Sequence, residues 1–331
     1  MTIELPGTAA RHDEREHERH RSGLPALALV PLAAAVWWLA GFSWWIVDLF
    51  GSNIMTVNGY PRAALPLLAA SSTDSLIVSS GVGGILAGLV VLLGRGSRLA
   101  RLSAVVAGVM LAATATIVQS RAAFGDGGTG GQTTDPRVTA GLGALVVGVA
   151  LVAVALGASS LAGRLGLGLA LAAAAGAAPM WVYQLGSSIS RTAAFNGYLD
   201  VPAEWSMAVV LIVALVAIGV RPVRHLGGWL VALSLAWLVA PTVTASGYFA
   251  MSLSRGPRSA VFVQEYLSAA GQLWRQSVQP ADRPLAPWIV AIVVAGLLAW
   301  AIDRRRSEHE RPEEERPDVL PRPDPPTASW P

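Results

Sequence analysis

The chain contains no cysteine and, among 24 basic residues other than histidine, no lysine: every one is arginine. Without cysteine there are no disulfides, thiolate metal sites, iron–sulfur clusters or cysteine nucleophiles. Histidine is scarce, at five residues: His12, His17, His20, His225 and His309. None falls in a long apolar run, so intramembrane metalloprotease and Ser–His hydrolase arrangements lack the imidazole they require. The glycine-rich stretch at 125–134 has neither a preceding strand nor a lysine, so it is no phosphate loop. No cofactor or metal is expected.

Charge is also scarce, at 14% of residues, where an ordinary soluble chain carries about 25%. It is concentrated in residues 1–23 and 303–331. The net charge of +3 comes without a basic stripe interleaved with aromatics, so nucleic acid is not an expected partner.

What fills the chain is apolar: 53% of its 331 residues are hydrophobic. A membrane-crossing helix needs about 20 such residues in a row. Eight segments meet or approach this: Leu24–Val47, Ser75–Gly94, Leu99–Gln119, Val138–Gly157, Leu165–Leu185, Trp205–Val220, Leu226–Ser246 and Leu285–Ile302. The first follows a mixed-charge stretch longer than a signal-peptide n-region and reads as an uncleaved span. No segment carries an ionised residue near its middle; Asp48 lies at the end of the first.

Arginine placement orients the spans. The tail regions and the turns holding Arg95, Arg98, Arg101, Arg164, Arg221 and Arg224 fall on one side and contain 16 of the 24 arginines. That side is expected to be cytoplasmic, with both termini there, in a bacterial inner membrane. The expected fold is an all-α polytopic bundle of about eight transmembrane helices in repeated hairpins. A charged leash (1–23) precedes the membrane domain (24–302), and a disordered tail (303–331) follows it. The long outer loop contains an amphipathic pattern at 259–278, with Val263, Tyr266, Leu267, Ala270, Leu273 and Trp274 on one face.

The hairpins share punctuation. Asp74, Asp135, Asp200 and Asp282 precede the even-numbered spans, and Ser120-Arg121, Ser190-Arg191 and Ser254-Arg255 close three odd-numbered ones, each followed by a phenylalanine. Aspartate and proline before a helix are ordinary start signals; the recurring Ser-Arg is not. Arg121, Arg191 and Arg255 are candidate contacts for an anionic headgroup or solute, since a guanidinium binds phosphate or carboxylate in a fork. Small-residue faces at Gly84–Gly88, at Ala144–Gly148 and along Ala172–Ala178 suit close helix packing and place spans 4 and 5 at the bundle centre.

Pro179 and Pro241 interrupt spans 5 and 7 near the outer face, each followed by polar residues. Broken helices often line cavities, so Tyr183, Gln184, Thr242 and Thr244 are expected around an outer vestibule. The leading functional expectation is a non-enzymatic protein, either an uncoupled permease-like transporter or a membrane subunit of an envelope complex. Membrane lipids and other membrane proteins are the expected partners. The alternative is an outer-face enzyme acting on a lipid-linked substrate through Asp48, by analogy with multispan polyprenyl-phosphate-sugar glycosyltransferases.

Overall fold

The structure is a computed structural model. It describes residues 23–51, 56–57, 60–61, 64–68, 73–125, 136–190, 196–220, 225–256 and 259–309. Most of the expected leash and tail therefore lies outside the described residues, as does Arg191.

Among the described residues ten α-helices follow in order: α1 (Ala26–Gly41), α2 (Ser43–Gly51), α3 (Thr73–Leu89), α4 (Arg98–Gly125), α5 (Pro136–Ala158), α6 (Arg164–Ser190), α7 (Asn196–Ile218), α8 (His225–Arg255), α9 (Ala260–Val278) and α10 (Ala286–His309). A two-residue strand pair, β1 (Thr56–Val57) and β2 (Tyr60–Pro61), lies between α2 and α3. Among the described residues seven helices are long and apolar enough to cross a membrane, and α1 with α2 passes the same test as a bent pair, which brings the number to eight if the pair is one span. The protein is an integral membrane protein built as an all-α bundle. With eight crossings, both described ends lie at the arginine-rich face, and α2, α9 and the longer loops lie at the far face.

The first span departs from the expected single helix. Its two halves meet at 71°. The break needs no proline. Gly41 crosses α3 so closely that a Cβ there would collide with the Ser79 carbonyl oxygen, and a Cβ on Gly83 would lie 3.1 Å from the Gly41 Cα. The carbonyls released at the break are taken up by a neighbour: the Trp181 indole donates to the carbonyls of Ala40 at 3.0 Å and Gly41 at 3.2 Å. Trp44, just past the break, donates to the Ser79 hydroxyl at 2.7 Å. Backbone polar groups in hydrocarbon need such partners.

Packing divides the bundle into two halves. One core gathers α1, α2, α4 and α5 with α3, and the other gathers α6, α8 and α10 around α7. Two smaller clusters join α3 to α6 along a seam that includes Ile77, Val82, Ile85, Ala173 and Ala177. Spans 2 and 5 are thus the centre, rather than 4 and 5: the span Thr73–Leu93 is 72% buried, against 39% for Thr139–Ala162. The reason is which small residues meet. A Cβ on Gly88 would lie 2.8 Å from the Gly157 Cα, so α3 and α5 touch backbone to backbone through Gly84, Gly88, Ala153 and Gly157. The Ala144–Gly148 face points away, and a Cβ on Gly148 would meet open space.

The hairpins of the sequence belong to chain order and not to packing. The strongest neighbours are α6 with α7, α3 with α5, and α1 with α4, all of them crossing hairpin boundaries. The start of the described chain is pinned to the α3–α4 turn: Leu24 donates its amide to Leu93 at 2.9 Å and accepts from the Arg95 amide at 2.8 Å.

Candidate functional site: an apolar groove at the far face

Three helical stripes converge at the far end of the bundle. Gly141, Leu142 and Leu145 come from α5; Thr242, Ala245, Ser246, Phe249, Ala250 and Leu253 from α8; Leu267, Ala270, Gly271 and Trp274 from α9. Each set repeats at three- and four-residue spacing, which puts its members on one helix face. Between them lies a cavity of about 780 Å³, within the range of about 300–1,000 Å³ usual for ligand pockets. The groove exists because α5 and α8 both pack on α3 and α6, which hold them apart, while α9 folds back along α8.

The walls are almost wholly carbon. Their polar elements are mostly satisfied within the protein: the Trp274 indole donates to the Thr242 hydroxyl at 3.2 Å, and that hydroxyl donates to the Leu238 carbonyl at 2.7 Å. Gly141 and Gly271 leave the groove open, since a Cβ on either would meet nothing within 4 Å. Leu267, 62% exposed, marks the side on which the groove opens outward. Trp274 sits at its lower edge, and an indole is favoured at the membrane–water interface.

The residues expected around a polar vestibule do not converge. Only Thr242 lines the cavity. Thr244 is exposed and donates to the Ala240 carbonyl at 3.1 Å. Tyr183 is exposed on α6, while the Gln184 side-chain amide is turned inward, with its nitrogen and oxygen buried and without a hydrogen-bond partner. The space between α6 and α8 is closed by contact: a Cβ on Gly176 would lie 2.8 Å from the Val239 Cβ. Asp48 lies half-buried on α2 and is engaged in a contact. Arg121 is exposed at the end of α4. Arg191 and the side chain of Arg255 lie outside the described residues.

Pro241 acts in a way that sequence reasoning missed. A proline has no N–H for the carbonyl four residues back, which here belongs to Trp237. Arg283, from the segment after α9, donates its Nη1 to that carbonyl at 2.8 Å and its Nε to the Ser277 carbonyl at 2.9 Å. Its guanidinium lies 4.4 Å from the centre of the Trp237 ring, a cation–π distance. The Trp237 indole donates to the Val278 carbonyl at 3.0 Å. Burial draws the Arg283 pKa down from its ordinary value, yet a guanidinium keeps its charge at any physiological pH. The clamp ties the end of α9 to the middle of α8 and so fixes one wall of the groove. No local pattern announces it, because 46 residues separate Arg283 from Trp237.

Replacing Pro241 with alanine supplies an amide that competes with Arg283 for the Trp237 carbonyl. The expected result is faster hydrogen exchange across residues 272–285 with little change in the rest of α8. Exchange that stays at the wild-type rate would mean the clamp is held by the indole contacts alone.

Comparison with protein-family models, with curated proteins and with solved structures gives no match. The functional reading therefore rests on geometry.

Proposed function

We propose that this is a non-enzymatic membrane protein that handles lipid, holding the hydrocarbon chain of a membrane lipid in the groove between α5, α8 and α9. The observation that carries this reading is the cavity itself: a large, carbon-walled space at the far end of the spanning helices. By the positive-inside rule, the arginine-rich face is cytoplasmic and the groove lies at the outer face of a bacterial inner membrane, where a chain would enter it from the outer leaflet. Lipid tails are as apolar as leucine, so a chain gains little hydrophobic free energy on entering. It gains packing, which makes the groove selective for chain shape rather than strongly attractive.

The test uses the full chain in liposomes containing a phospholipid with a photoactivatable group in its acyl chain. Labelling is expected on peptides covering 242–253 and 267–274. Gly141→Trp and Gly271→Trp start their side chains in open space at the groove wall, and each is expected to cut labelling about tenfold, equivalent to about 1.4 kcal/mol. Asp48→Asn is expected to leave labelling unchanged, because no step of the proposal runs through that carboxylate. Labelling that survives both tryptophan plugs would remove the proposal.

A further inference from the structure

A second, smaller cleft of about 410 Å³ lies between α8 and α10, lined by Leu233, Ser234, Trp237, Leu238, Trp288 and Ile292. Trp237 and Trp288 meet within it, ring centres 4.9 Å apart. Over the Trp237 ring sits the Arg283 guanidinium. Its acceptors among the described groups are two uncharged backbone carbonyls. A guanidinium has five N–H donors, and these bonds engage two of them, Nε–H and one on Nη1.

The depth of this charge follows from α10. The rise from Leu285 to Arg304 is about 28 Å at 1.5 Å per residue, which matches a hydrocarbon core of about 30 Å. With the Arg304–Arg306 cluster at one headgroup level, Arg283 stands at the other. An apolar cleft therefore runs down from a fixed cation at headgroup height.

We propose that Arg283 and the α8–α10 cleft bind an anionic phospholipid of the far leaflet. The phosphate takes the free edge of the guanidinium, and an acyl chain lies in the cleft against Trp237, Trp288 and Ile292. The donor geometry suits a phosphate, because a guanidinium presents a rigid fork to its oxygens. Two carbonyls and an indole ring already hold that fork, so little conformational freedom is lost on binding. The site is separate from the groove of the proposed function and does not rest on that reading, although Arg283 also fixes one wall of the groove.

The experiment is native mass spectrometry of the full chain, titrated with phosphatidylglycerol or with phosphatidylcholine of the same acyl chains. Wild-type protein is expected to prefer phosphatidylglycerol about tenfold, the scale of one charge-assisted hydrogen bond. Arg283→Gln is expected to lose that preference and Arg283→Lys to keep part of it. Ile292→Trp, which fills the cleft without touching Arg283, is expected to weaken binding of phosphatidylglycerol, and it decides the matter if Arg283→Gln does not fold. The groove variant Gly271→Trp is expected to leave the preference intact. The proposal is overturned by equal binding of the two lipids, by a folded Arg283→Gln that still discriminates, or by an Ile292→Trp that binds as the wild type does. Oleate displacing phosphatidylglycerol at equal concentration would overturn the assignment to a phosphate.

Discussion

Gly157→Leu is expected to break the bundle at its centre, and Gly148→Leu, nine residues earlier on the same helix, to leave it standing. A Cβ on Gly157 would collide with the Ile85 carbonyl oxygen and lie 2.8 Å from the Gly88 Cα. Both neighbours are backbone, so no side chain can rotate away, and α3 and α5 must separate. Inserting side-chain volume into a packed core costs about 1–3 kcal/mol even where side chains can adjust. A leucine against backbone sits at or above the top of that range. That corresponds to a fall in melting temperature on the order of 10 °C. Thermal unfolding of purified protein in detergent, followed by circular dichroism, reads the difference. Similar melting for the two variants would mean that the α3–α5 crossing is not what holds the first half of the bundle together.

Trp181→Ala is expected to have the second largest effect, and for a different reason. The Trp181 indole is the donor to the two carbonyls released where α1 ends and α2 turns away. Removing the ring leaves a cavity, a change that costs about 3–5 kcal/mol for a large aromatic. Trp181→Phe separates the two contributions, since it keeps most of the ring and removes only the N–H. That variant is expected to cost about 1–3 kcal/mol, the cost of stranding buried acceptors. Hydrogen exchange should report the loss locally, in the amides of residues 43–51. If Trp181→Phe melts and exchanges as the wild type does, the break is maintained by packing alone.

Which parts of this could be read from the sequence depended on range. The spans were legible because each is a continuous apolar run, and the amphipathic pattern of α9 was legible because its face repeats within a few residues. The broken first span was not. Leu24–Val47 is uniformly apolar, and what bends it lies on α3 and α6, at Gly83 and Trp181. The small-residue faces show the same divide. Gly84–Gly88 and Ala144–Gly148 carry the same signal, yet one touches backbone and the other faces open space. Gly84–Gly88 meets Ala153 and Gly157, a pair with the same four-residue spacing that stood unremarked among many alanines.

The candidate site was harder still to read. Pro241 was legible as an interruption, but the proline pointed to a polar cavity, whereas Arg283 fills the bond that it opens. The groove beside it has apolar walls because its position is set by what α3 and α6 keep apart, a property no single helix displays. Thr242 was singled out for a polar vestibule; it lies on the α8 wall of an apolar groove, with its hydroxyl engaged by Trp274 and Leu238.

The dependence of the first span on Trp181 also bears on how the chain is made. The indole that satisfies Ala40 lies 141 residues further along. At about 5–20 residues per second, roughly 7–28 s of synthesis pass before that donor leaves the ribosome. Through that interval a helix bent at Phe42 would carry two bare carbonyls inside the bilayer. The newly inserted helix must stay straight, or remain sheltered in the insertion machinery, until the second half of the bundle arrives. The bend at Phe42 is therefore a late event in biogenesis, made when the two halves close on each other and not when the first helix enters the membrane.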